Sequence, residues 1–114
     1  PNFSPDILAS IHRAIMSHPI VGSKFNDISI HFDPTKDKKT YPILSTKRFV
    51  KTTDSVVGSA EKWSVFGDVV VYTHNLESID ELFTLLAEEI ANLTNESSKV
   101  RNEILLLLRE EVRI

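Results

Sequence analysis

Between residues 63 and 93 the spacing of apolar positions changes from strand-like to helix-like. Trp63, Val65, Val69 and Val71 alternate with Phe66, Val70 and Tyr72. Both faces of the resulting strand are apolar, which predicts a central strand rather than a half-wet edge. A polar turn follows at 73–77. Ser78 then stands three residues before Glu81, a capping box that opens a helix. Ile79, Leu82, Phe83, Leu86, Ile90 and Leu93 recur at helical spacing and mark one buried stripe. This predicts a helix over about 78–92, packed on the sheet.

The same reading extends upstream. Ser4-Pro5-Asp6 is a helix start, with a capping hydroxyl, proline at the first helical position and an acid near the positive end. Ile7, Leu8, Ile11 and Ile15 supply its apolar stripe. Pro19 is expected to end it, because the residue before a proline is pushed out of the helical region, and Gly22-Ser23 to continue the turn. Ile28, Ile30 and Phe32 alternate with Ser29 and His31, a short half-buried strand. A second strand is predicted over 41–50, with Pro42 near its start where a missing N–H is tolerable. The polar stretches 33–40 and 51–62 read as loops that order only on assembly.

The last segment supports two readings. Leucine and glutamate favour a helix from Ser98 onward. The alternation of Val112 and Ile114 with Glu111 and Arg113 favours a strand, and the run from Ile104 to Leu108 fits either. The order is therefore helix, three strands, helix, then a strand or a helix, in a single domain covering 1–114. Helices segregated onto one face of a mostly antiparallel sheet make an α+β sandwich.

Bulk properties narrow the function classes. Apolar residues are 41% and charged residues 25% of the chain, which suits one globular core. The net charge of −3 argues against a dedicated nucleic-acid binder. The absence of cysteine excludes disulfides, thiolate catalysis and cysteine-based metal sites. No apolar run approaches the roughly 20 residues of a membrane span, so no membrane partner is expected. Residues 1–5 have neither a basic flank nor an apolar core and are not read as a signal peptide. A chain starting at Pro1 is expected to have lost an initiator methionine or to come from a longer precursor.

Candidate chemistry is sparse. His12 and His18 lie six apart on the first helix, the wrong spacing for one face. His31 and Asp33 share a strand end but form an incomplete ligand set, and His74 sits in a turn. Glu88-Glu89 and Glu110-Glu111 read as solvated faces. There is no Gly-x-Ser-x-Gly elbow and no phosphate-cradling loop. Lys36, Lys38 and Lys39, with Lys47 and Arg48 on the next strand, are the one basic cluster. They read as a solvated loop or as a contact to phosphates or to an acidic neighbour. Trp63 reads as a sheet anchor or an interface aromatic. No catalytic site, cofactor or structural metal is expected.

The element order, the proline-containing strand Tyr41-Pro42-Ile43-Leu44, the strand 63–72 opening on Trp63 and the acidic helix from Ser78 resemble the tail terminator and tail-completion proteins of long-tailed bacteriophages, the lambda-type tail terminator above all. The resemblance covers most of the chain as a pattern and has no catalytic motif. It implies a closing strand at 106–114, hence about four strands in the order α-β-β-β-α-β. It also implies a structural virion protein, assembled in the host cytoplasm. Six copies would form a ring at the head-proximal end of the tail tube. Its partners would be the tail tube protein and the head connector, with DNA passing through the lumen without sequence-specific binding. Such a ring needs complementary surfaces. The candidates are the basic cluster against Glu81, Glu88 and Glu89, with Tyr41, Val56, Val57 and Trp63 supplying apolar contact. Two other readings compete. One is a small intracellular α+β binding or adaptor module. The other is a small hydrolase or nuclease using His31, Asp33 and His74, which would have to converge in a pocket.

Overall fold

The computed structural model describes residues 4–33, 43–53, 61–73, 76–96 and 98–112. Along the chain these form α1 (Pro5–Ser17), α2 (Pro19–Lys24), β1 (Asp27–Asp33), β2 (Ile43–Thr53), β3 (Glu61–Tyr72), α3 (Ile79–Thr94) and α4 (Ser98–Glu111). The strands make one sheet in the order β1-β3-β2. β1 runs parallel to β3, with Ile28 opposite Gly67 and Phe32 opposite Val71. β2 runs antiparallel to β3, from Ile43 opposite Val71 to Thr53 opposite Glu61.

This corrects the expected fold. A mostly antiparallel sheet of about four strands with two helices gives way to a mixed three-stranded sheet and four helices among the described residues. The closing strand is a helix. Val100, Ile104 and Leu108 are buried at helical spacing, while Leu106 is 57% exposed. On a strand Ile104, Leu106 and Leu108 would share a face. The aliphatic run is thus only half core, and helix-favouring leucine and glutamate set its backbone.

Pro19 also does more than end a helix. His18 is extended (φ −68°, ψ 127°) and caps α2, its Nδ1 accepting the Ile20 N–H at 3.2 Å, with Pro19 at the first helical position. The expected turn at Gly22-Ser23 is therefore helical. The strands also reach further than expected, since β2 runs to Thr53 and β3 begins at Glu61, inside the stretch read as a loop. The rest of that stretch, 54–60, and most of 33–40 lie outside the described residues.

The layers follow from the stripes. β3 buries Gly67, Val69 and Val71 and leaves Phe66, Asp68, Val70 and Tyr72 half-buried on its other face. β1 adds Ile28, Ile30 and Phe32 to the covered side. α1 packs on β1, α3 on β2, and α4 lies against α1 and α3. Gly67 lies directly under the second layer. A Cβ there would lie 3.4 Å from Leu93 of α3, from Phe25 and from Ile28.

Local chemistry caps α1 and α3. Ser4 Oγ accepts the Ile7 N–H, and Ser78 Oγ accepts the Glu81 N–H at 3.1 Å. Asn95 is left-handed (φ 58°) and ends α3. Its N–H donates to the Asn92 carbonyl, and the Glu96 N–H donates to the Ala91 carbonyl, a Schellman closure. Lys24 Nζ donates to the Thr94 carbonyl at 2.6 Å and to Glu96 at 2.8 Å, placing a cation at the negative helix end. Asn95→Ala is expected to cost at most about 1 kcal/mol, because alanine keeps the Cβ but loses the short polar side chain that eases the left-handed region. Asn95→Gly should be neutral or stabilising. Urea melts of both variants test this, and an unchanged midpoint for the alanine variant would refute it.

Candidate functional site

Three surfaces of the sheet and two polar pairs on the helices define what the chain can do. The first surface is the face of the sheet away from the helices. It carries Phe66, Val70 and Tyr72, all half-buried, beside Ser29, His31 and Asp68. His31 Nε2 stands 3.9 Å from Asp68 Oδ1, a loose cross-strand pair.

The second surface is a groove of about 390 Å³ along the outer edge of β1. Leu8, Ile11 and His12 of α1 form one wall, and Ile28 to Phe32 form the other. At its end His12 Nε2 lies 2.7 Å from Asp27 Oδ1, both half-exposed. The sequence reading missed this pair because it joins two elements fifteen residues apart. Asp27 also accepts the Ile28 N–H at 2.9 Å, so its carboxylate is a strand-end clasp.

The third surface is an arm. β1 pairs with β3 only from Phe66 onward. Asn26 marks the limit, donating its N–H to the Val65 carbonyl at 2.8 Å and accepting the Val65 N–H through Oδ1 at 2.9 Å. Beyond it, Glu61–Ser64 and Val50–Thr53 pair only with each other among the described strands. A two-stranded ribbon is marginal alone, which makes this arm a candidate contact element.

The helices hold the two polar pairs. His18 is 4% exposed. Its Nδ1 is an acceptor, so the neutral ring carries its proton on Nε2, which faces Glu103 Oε1 of α4 at 3.1 Å. Asp80 in the first turn of α3 and Arg109 in the last turn of α4 form a two-point pair at 2.9 and 3.1 Å. The Arg109 hydrogen bond holds the Asp80 carboxyl below its ordinary 3.8. Asp80→Asn is therefore expected to remove a small, salt-sensitive increment of stability at neutral pH. A depressed carboxylate pKa stabilises above the unfolded value and ceases to as pH falls through the folded one. The difference from the parent chain should vanish in melts taken well below pH 3.8. A gap that persists there would mean that the pair is not its source.

The residues proposed as an interface are distributed as follows. Lys36, Lys38, Lys39, Tyr41, Val56 and Val57 lie outside the described residues, as does His74. Lys47 and Arg48 are on β2, opposite Gly67 and Phe66, and Trp63 is in the arm, opposite Lys51. Glu81 is spent locally, accepting the Glu77 N–H at 2.9 Å in the cap of α3. Glu88 is exposed and Glu89 half-buried on α3. Asp33 follows His31 by two on β1. No group of three or more histidine or carboxylate side chains converges as a metal site among the described residues.

The chain matches no family model, no curated protein and no solved structure.

Proposed function

We propose that this chain is a structural assembly subunit and, following its resemblance to phage tail-completion proteins, a component of the ring at the head-proximal end of a tail tube. The observation that carries the assembly reading is the second face of the sheet, where Phe66 and Val70 stay only half-buried, together with the arm that overhangs β1. Apolar surface of this kind, rimmed by polar residues, is what interfaces are made of. The tail assignment rests on the sequence resemblance alone, in its order of first helix, three strands and capped helix, and α2 and the mixed sheet depart from that pattern. It draws nothing from α4, where the resemblance called for a strand.

In this reading the helices form the rigid body and the sheet forms the contacts. Partners would be further copies, the tail tube protein and the head connector. The adaptor reading uses the same face without a ring. Mass in solution separates the two. Light scattering on a size-exclusion column is expected to show a species of about six copies of the 12.9 kDa chain. Particles purified from an infected host are expected to contain the chain at one tube end. A monomer at all concentrations would reject the ring, and absence from virions would reject the tail assignment.

A further inference from the structure

We infer that copies of this chain join by strand addition between two unlike sheet edges, β1 of one copy against β2 of the next, in antiparallel sense. This rests on the assembly reading above but not on its phage component. The sheet ends in β1 on one side and β2 on the other, and neither has a strand partner on its outer side among the described residues. Exposed edges are templates for pairing with another chain.

Three features select a second copy in this orientation. The first is charge. β1 reads Asp-Ile-Ser-Ile-His-Phe-Asp, with two acids and no lysine or arginine, whereas β2 carries Lys47, Arg48 and Lys51 and no acid. Pairing β2 with β2 would oppose these cations, which is destabilising across strands, whereas β1 holds Asp27 against His12 and offers β2 no lysine or arginine. The second is direction. β1 and β3 are parallel and β2 is antiparallel to both, so repeating the same sheet side by side brings β2 against the next β1 in antiparallel register. The third is the groove. A strand added to β1 would lie beside Leu8, Ile11 and Ile30, which line about 390 Å³ of open space, so addition extends the core as well as the ladder. The contact is head-to-tail. It gives a closed ring when its rotation closes and an open filament when it does not, and closure leaves no free edge.

The chain has no cysteine, which allows a direct crosslinking test on the full chain. Ser29→Cys on β1 is combined in turn with Ser45→Cys, Thr46→Cys and Lys47→Cys on β2. Within one copy these strands lie on opposite sides of β3, roughly 10 Å apart at two strand spacings, too far for a disulfide. Mild oxidation is expected to give a ladder of trimers and larger species in one of the double variants, while each single variant stops at dimer or monomer. Ser29→Pro is the companion. Residue 29 lies mid-strand, opposite Asp68 of β3, and proline there removes one backbone donor of β1. It should abolish species larger than monomer with the circular dichroism spectrum unchanged.

Association that survives Ser29→Pro, with no ladder in any double variant, overturns the edge contact and leaves the assembly reading standing. A ladder formed by a chain absent from virions upholds the edge contact and removes the tail assignment. A wild-type chain that stays monomeric overturns both.

Discussion

Leu86→Ala is expected to lower the free energy of unfolding by about 2–5 kcal/mol, the range for a buried leucine whose site cannot fully collapse. Leu86 is fully buried midway along α3, between Leu82 and Ile90 in the same stripe. That helix touches β2, α2 and α4, so a void at Leu86 has rigid walls on several sides. Denaturant melts should show a lower midpoint at unchanged slope. A loss under about 0.5 kcal/mol, the size of an ordinary surface change, would remove Leu86 from the core.

The second large effect separates two side chains only two residues apart. Ile104→Ala is expected to cost about 2–5 kcal/mol, whereas Leu106→Ala should stay within about 0.5 kcal/mol. Ile104 is fully buried and Leu106 is 57% exposed. A strand would put both on one face and give them similar costs. The ratio of the two losses therefore reads the backbone of 98–111 directly, and equal losses would argue against a helix.

That contrast shows where the sequence was informative and where it was not. Ser78, Glu81 and the stripe from Ile79 to Leu93 specify α3 because cap, period and charge agree at once, and α3 forms over Ile79–Thr94. Ile28, Ile30 and Phe32 likewise specify β1. At 104–108 every residue is aliphatic, so period carries no information, and only contacts with α1 and α3 decide which of them are core. α2 was hidden because its cap is a histidine, outside the usual capping set. The strand order was hidden for a different reason. Alternation tells which residues share a face and nothing about which strand lies beside which, so the parallel β1–β3 pair left no local mark. Of the surfaces, the second apolar face of β3 was legible in Phe66, Val70 and Tyr72, though as one covered on both sides. The His12–Asp27 pair and the groove beside it depend on α1 meeting β1 and were not.

The position of β3 between β1 and β2 also constrains the order of folding. Residues 5–33 leave the ribosome first, yet β1 has no strand beside it until Phe66 to Tyr72 exist. β2 and β3 are near neighbours in sequence and close a short loop, whereas the β1–β3 pairing spans about forty residues and costs more chain entropy to form. The N-terminal third of the molecule therefore waits as α1 and an unpaired strand, and β1 docks onto a hairpin already made. Pulse-labelled hydrogen exchange should protect the amides of residues 64–71 before those of residues 29–33, and the reverse order would refute this sequence. Until β1 docks, β3 itself is an open edge. The surface through which copies are proposed to join is thus completed last, so association follows folding of each subunit and does not compete with it.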